Sequence, residues 1–234
     1  MNCLNCIVSC CKITPGHVWL NGELYLKSAH EPFEMNDFFF DIYKHTELDY
    51  RRFFKMDAMS KLGFLCSEVL LAGSDREQPK PDMGIILFNK NSSIEADVNY
   101  QKTIQNKEDF FPSPANFVYT LPNIVTGEIA IRNKIYGETA FYVLHRFATD
   151  TISEVVDDTM YAAGIKCALT GWIDVNISNN EVDAFMMLCV SLPWKTGTGK
   201  VPLYLPTGLK GVSTGEISRL TDIDIVDLCK KIKI

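Results

Sequence analysis

The sequence predicts an α/β protein, a sheet covered by helices, and three observations carry that expectation. Between 56 and 72 the apolar residues Met56, Met59, Leu62, Leu65, Val69 and Leu70 recur at spacings of three and four, and Gly73 closes the run as a helix C-cap does. After the polar stretch 74–82, which holds two prolines, residues 83–88 (MGIILF) are apolar without alternation, the pattern of a strand buried on both faces. Downstream, strand and helix patterns take turns, which is how a helix-covered sheet is built.

Taken in order, 3–13 and 18–26 read as strands or a hairpin, broken by the turn signal Thr14-Pro15-Gly16. Residues 30–50 are aromatic and irregular. The helix 56–72 and the strand 83–88 follow, then a helix over 93–105 and a loop at Phe110-Phe111-Pro112-Ser113-Pro114. Asn123 is placed to cap a helix that runs to Tyr136 and stops at Gly137. Next come a short strand at 140–144 (AFYVL), a helix at 150–163, and strands at 166–175 and 183–192. Residues 193–234 form an irregular extension punctuated by Gly and Pro, ending in a short helix that Thr221 or Asp222 caps.

Composition narrows the function classes. A chain of 234 residues that is 47% hydrophobic and 22% charged suits one folded domain. A net charge of −6 offers no clustered basic face for phosphates, so nucleic acid is not an expected partner. The basic pairs Arg51-Arg52 and Lys230-Lys231 read as solvated helix ends. No apolar run reaches the ~18 residues of a membrane span. Ile7-Val8-Ser9-Cys10 imitates a lipoprotein cleavage site, but Met-Asn-Cys-Leu-Asn-Cys lacks the basic start and apolar run that precede one. The expected location is therefore the cytoplasm, with the eight cysteines as free thiols.

Two motifs are set aside on spacing. Cys3, Cys6, Cys10 and Cys11 crowd the first strand, yet no second Cys/His pair follows at zinc-site spacing, so small buried thiols are expected and no metal. Thr196-Gly197-Thr198-Gly199-Lys200 is similar to a piece of a phosphate-binding loop. Such a loop needs a glycine where Trp194 stands and a Ser/Thr where Val201 stands, so a turn is expected and no nucleotide cofactor.

The segment Ser113-Pro114-Ala115-Asn116-Phe117-Val118-Tyr119-Thr120-Leu121-Pro122-Asn123, continuing through Gly127-Glu128-Ile129-Ala130-Ile131 to Gly137, resembles the β-ketoacyl synthases of the thiolase superfamily. Met56-Asp57-Ala58-Met59-Ser60-Lys61-Leu62-Gly63 is similar to an early helix of that family, and Leu169-Thr170-Gly171-Trp172 to a later strand end. The resemblance runs from about 56 to 190. It implies a three-layer α/β/α arrangement with a mixed sheet, the N-terminal half of a thiolase-like fold, over 1–234 as a single half domain.

The resemblance also implies a departure in chemistry. The family's nucleophilic cysteine stands at a helix N-terminus, where the dipole lowers its pKa. Counting from Gly137 or back from Gly171 puts Arg146 at that place, and a guanidinium, protonated at any working pH, is no nucleophile. The family's later catalytic residues belong to a C-terminal half that this sequence does not contain. The helix 150–163 is amphipathic, with Ile152, Val155, Val156, Met160 and Ala163 on one face and Ser153, Glu154, Asp157 and Asp158 on the other. In a complete synthase the corresponding helix lies between two sheets, where unpaired carboxylates would each cost several kcal/mol.

No other residue set offers a substitute. Cys167 lies mid-strand and Cys66 on a buried helix face, His145 stands alone at a strand end, and Asp157-Asp158 point to different faces. The expectation is a non-catalytic relative, resembling a short chain length factor that pairs with an active ketosynthase in fatty-acid, polyketide or aryl-polyene-type synthesis. Its partners would be a second copy or a full-length ketosynthase, with an acyl carrier protein as a further one. Tunnel or interface candidates are Asn116, Phe117, Tyr119, Leu121, Tyr142 and Arg146, with core packing an equal reading for Phe117 and Leu121. Two other classes stand beside this one: a module binding an acyl or anionic ligand near Arg146, and an acyltransferase of atypical chemistry.

Overall fold

The structure, a computed structural model, describes residues 5–191. The expected terminal helix, the 196–200 turn and Cys3 lie outside the described residues. The elements are β1 (Asn5–Thr14), β2 (His17–Leu20), β3 (Glu23–Lys27), α1 (Met35–His45), a 3-10 turn (Arg51–Lys55), α2 (Ala58–Leu70), β4 (Met83–Asn89), α3 (Ile94–Lys102), α4 (Pro114–Val118), α5 (Ile124–Asn133), β5 (Thr139–Val143), α6 (Thr149–Ala162), β6 (Cys167–Asn176) and β7 (Glu181–Ser191).

The strands form one seven-stranded sheet in the order β3-β2-β1-β7-β6-β4-β5. It is mixed: β4 runs parallel to both β5 and β6, while β6-β7, β7-β1, β1-β2 and β2-β3 are antiparallel. Helices cover both faces, as expected. Because successive strand side chains point to opposite faces, Ile85, Leu87, Leu169, Ile173, Met186 and Leu188 meet α1, α2 and α5 on one side. Ile86, Phe88, Ala168, Trp172, Phe185 and Met187 meet Ile152, Val156 and Met160 of α6 on the other. Every residue of β4 is buried, which explains its unbroken apolar run.

Three local expectations need correction. Residues 18–26 are not one strand, because Asn21 (φ 53°) and Gly22 (φ 84°) make a two-residue hairpin turn between β2 and β3. The Asn21 carboxamide oxygen also accepts from Cys10 N (2.9 Å) and Ser9 Oγ (3.0 Å), which ties the turn back to β1. The irregular stretch 30–50 contains α1, whose buried residues Met35, Phe38, Phe39 and Ile42 follow helical spacing; packing against the sheet outweighs the modest helix propensity of its aromatics.

The third correction concerns α5. Asn123 makes no side-chain cap, and the helix ends at Asn133 with Lys134 in the left-handed region (φ 52°). The chain is drawn out of the helix because Lys80 N donates to Lys134 O (2.8 Å) and Tyr136 N to Lys80 O (3.0 Å). Gly137 serves a different purpose from helix closure: a Cβ there would fall on the Met83 carbonyl and 3.0 Å from Ile165 Cγ2, so only glycine lets the chain enter β5 beside β4. The 110–114 loop likewise runs into the short helix α4, where Ser113 Oγ accepts from Asn116 N (3.3 Å).

α6 is amphipathic as expected. Ile152, Val156 and Met160 are buried on the sheet, and Glu154, Asp157 and Asp158 are exposed on the far side.

Candidate functional site

The candidate site is the β5 edge of the sheet and the connection leaving it. β5 is the terminal strand, hydrogen-bonded to β4 alone among the described residues. Tyr142 stacks on Phe88 of β4 (centroids 5.4 Å, planes 20° apart) and is 37% exposed, while Val143 beyond it is 51% exposed. An apolar, uncharged edge strand of this kind is one that proteins otherwise blunt or cover.

After β5 the chain passes through Leu144, His145, Arg146 and Phe147 before α6 begins at Thr149. Phe147 anchors the connection edge-on against Trp172 (5.7 Å) and Leu144 packs on the same cluster. His145 and Arg146 are left in solvent. Arg146 therefore stands on the strand-to-helix connection, on its exposed side.

The other candidates gather at a second place. Ser93 Oγ donates to Thr120 O (2.5 Å) and Phe117 packs on Tyr100 (5.3 Å), so segment 113–121 is fastened to α3. Phe117 and Leu121 are about half exposed, at 53% and 51%, which removes the core-packing reading for both. Phe110 and Phe111, just before the segment in sequence, are still more open. Asn116 is half-buried. Tyr119 turns the other way and packs on the core, where burial, with Glu128 and Asp57 nearby, pushes its hydroxyl up to about 12.

The thiols sit elsewhere. Cys10, Cys11, Cys66, Cys167 and Cys189 are all buried, on β1, α2, β6 and β7. Burial pushes Cys11 and Cys167 well above the ordinary thiol value, opposite to what a reactive thiolate needs. Among the described residues no group of three His, Cys, Asp or Glu is arranged to hold a metal ion. Nor is any helix among them long and apolar enough to cross a membrane.

One polar feature escaped sequence reasoning. Glu68 of α2 is fully buried, with Arg76 Nη2 at 3.0 Å and Arg132 Nε at 3.6 Å. Arg132 also lies over the Tyr50 ring (5.2 Å), and Tyr50 Oη donates to the buried Glu128 (3.2 Å), which Arg52 Nη2 reaches at 2.9 Å. The chain of charges clamps α5 to α2 and to the 3-10 turn. Its signal in the sequence was a glutamate inside the apolar run of α2.

No family model matches the sequence, and no curated protein does either. Solved structures do match. The ishigamide ketosynthase/chain length factor aligns with a TM-score of 0.60 at 12% identity, over 81% of this chain and 63% of that one. The fold is thiolase-like, that of ketosynthases and chain length factors. The same thiolase-like fold aligns, with a TM-score of 0.52 at 14% identity, with the complex of a ketosynthase (ApeO) and its chain length factor (ApeC) from Xenorhabdus doucetiae, over 91% of this chain and 90% of that one. A type II polyketide acyl carrier protein in complex with its ketosynthase (AntDE:AntF) aligns with a TM-score of 0.52 at 12% identity, over 81% and 62%. The chain thus spans less than two thirds of the length of the first and third of these thiolase-like chains, and most of the second.

Proposed function

We propose that this chain is a non-catalytic, chain-length-factor-like subunit that pairs with a full-length ketosynthase in polyketide or aryl-polyene-type synthesis. The observation that carries the reading is Arg146, exposed on the connection from edge strand to helix, while Cys10, Cys11, Cys66, Cys167 and Cys189 are buried in other elements. An arginine there binds and orients but does not attack a thioester. The solved structures of similar fold include a ketosynthase with its chain length factor and a ketosynthase with its carrier protein, which supports a partner of that kind.

In this reading β5 is the pairing edge, with Tyr142 and Arg146 at the seam. The exposed apolar side chains of segment 113–121, Phe117 and Leu121, border the path of the partner's acyl chain, and Asn116 lies beside them. The test is co-expression with a full-length ketosynthase and its carrier protein, followed by purification through a tag on this chain. Stoichiometric recovery of the ketosynthase, with product chain length altered by Phe117→Ala, is expected. Recovery of this chain alone, or product lengths indifferent to its presence, overturns the reading.

A further inference from the structure

On the face of the sheet opposite α6, the C-terminal ends of α1 and α2 and the loop after α2 border a cleft of about 510 Å³, a size that suits a small molecule. Tyr25 and His45 give it an aromatic wall, edge to face with centroids 5.0 Å apart. The loop is held in place: Lys80 Nζ donates to Asp75 O (2.6 Å), Gln78 O (3.1 Å) and Asn133 O (2.8 Å), and Asp75 Oδ1 accepts from Glu77 N (2.9 Å). A wall ordered in advance spares a ligand the cost of ordering it.

Glu68 lies at the floor with its side chain 0% exposed, and Arg76, 26% exposed, reaches it from the loop. Their approach at 3.0 Å lacks hydrogen-bond alignment, and Arg132 Nε stands at 3.6 Å, beyond hydrogen-bond distance. Both Glu68 carboxylate oxygens, Arg76 Nε and Ser74 Oγ are thus buried without a hydrogen-bond partner among the described residues. All three residues line this one cleft. Buried polar groups are nearly always satisfied, so this set calls for a partner that enters the cleft.

Charge restricts what that partner is. A cation would meet two guanidiniums, Arg76 and Arg132, already at the carboxylate. An anion would meet Glu68, Glu47 and Asp75 on the same lining, where the carbonyl ends of α1 and α2 also come together. A neutral group remains, one that donates to a carboxylate and accepts from a guanidinium N–H and a hydroxyl. A carboxamide does both side by side, through its N–H and its C=O.

We propose that this cleft binds a small neutral ligand through a carboxamide, whose N–H donates to Glu68 and whose oxygen accepts from Arg76 Nε and Ser74 Oγ, with an apolar portion lying on Tyr25 and His45. The site is separate from the β5 edge and does not depend on the pairing proposed there.

The test is a titration of the full chain, followed by nitrogen-15 correlation NMR, with four probes of one shape: 2-phenylacetamide, methyl phenylacetate, phenylacetate and 2-phenylethylamine. The amide is expected to shift resonances of residues 25, 45–47 and 68–76 and to bind at least about tenfold more tightly than the ester, which lacks the N–H, the anion or the cation. Glu68→Gln and Arg76→Met, each verified as folded by circular dichroism, should each weaken the amide about tenfold. Glu154→Ala, on the far side of α6, should leave it unchanged. An amide that binds no better than the ester, or a charged probe that binds better than the amide, overturns the proposal. So does a cleft that holds water only, with no shift at about 10 mM amide, or an affinity that neither cleft variant lowers.

Discussion

The two faces of α6 should respond in opposite ways to truncation, and the contrast can be worked out in advance. Ile152 is wholly buried among Ile86, Phe88 and Trp172, whereas Glu154 points away from the sheet into solvent. Ile152→Ala removes about three carbon groups worth ~0.8 kcal/mol each, about 2.4 kcal/mol in transfer alone. A residual cavity of about 50 Å³ at ~24 cal/mol per Å³ adds about 1.2 kcal/mol, for a total of about 3.6 kcal/mol. In a domain of this size that lowers Tm by about 7–14 °C. Glu154→Ala should stay within about 0.5 kcal/mol, since it touches no buried group and alanine favours helix. Urea unfolding at constant m-value measures both. A loss below about 1 kcal/mol for Ile152→Ala would mean that α6 is not packed on the sheet, and a loss above about 2 kcal/mol for Glu154→Ala that its far side is covered rather than solvated; either result would contradict the single-sheet account.

Other outcomes follow from specific contacts. Gly171→Ala places a Cβ on the Phe185 carbonyl and 2.6 Å from Met186 Cα, both backbone of the neighbouring central strand, so insoluble or strongly destabilised protein is expected, and a variant with wild-type Tm would contradict the packing. Tyr142→Lys puts a charge on the exposed edge beside Phe88; it should leave the chain folded and weaken the proposed pairing with a ketosynthase at that edge by about 2–4 kcal/mol, read by the ketosynthase recovered on co-purification. At Glu68, burial raises the carboxyl above its ordinary value more than Arg76 and Arg132 lower it. A raised folded pKa favours the protonated form, so the stability Glu68 contributes is full below the unfolded value and fades as pH rises through the folded one. Against Glu68→Gln, wild type should therefore lose relative stability from about pH 4 towards neutrality; a difference that grows in wild type's favour would reverse the assignment.

The sheet and its covering were legible because periodicity reports burial. β4 reads as an unbroken apolar run since both its faces are covered, and α6 reads as two-faced since one of its faces is wet. Where structure and spacing differ, a local turn signal or a distant contact outweighs the periodicity. The Asn21-Gly22 turn is a strong short-range signal set inside an apolar stretch, and α1 is masked because its helical spacing is written largely in aromatic residues. α5 ends early for a reason no local rule contains, the bridge from Lys80 to Ile135, which joins residues far apart in sequence.

The candidate site was legible in part. A strand at 140–144 is legible in its apolar composition and Arg146 follows it in the sequence, but that this strand lies at the edge of the sheet is a property of the fold. The division of the candidates between the β5 edge and α3, and the inward turn of Tyr119, depend on packing that spacing does not encode. The buried carboxylates Glu68 and Glu128 were missed because their arginine partners come from other elements.

The central claim is that this chain supports a ketosynthase without taking the acyl group itself, and one measurement tests it most directly. The chain is incubated with an acylated carrier protein, alone and with a full-length ketosynthase, and the intact mass of each protein is recorded. The account predicts an acyl adduct on the ketosynthase only, with this chain at its unmodified mass in both reactions and also when Arg146 is replaced by cysteine. An acyl adduct on the natural chain would contradict it.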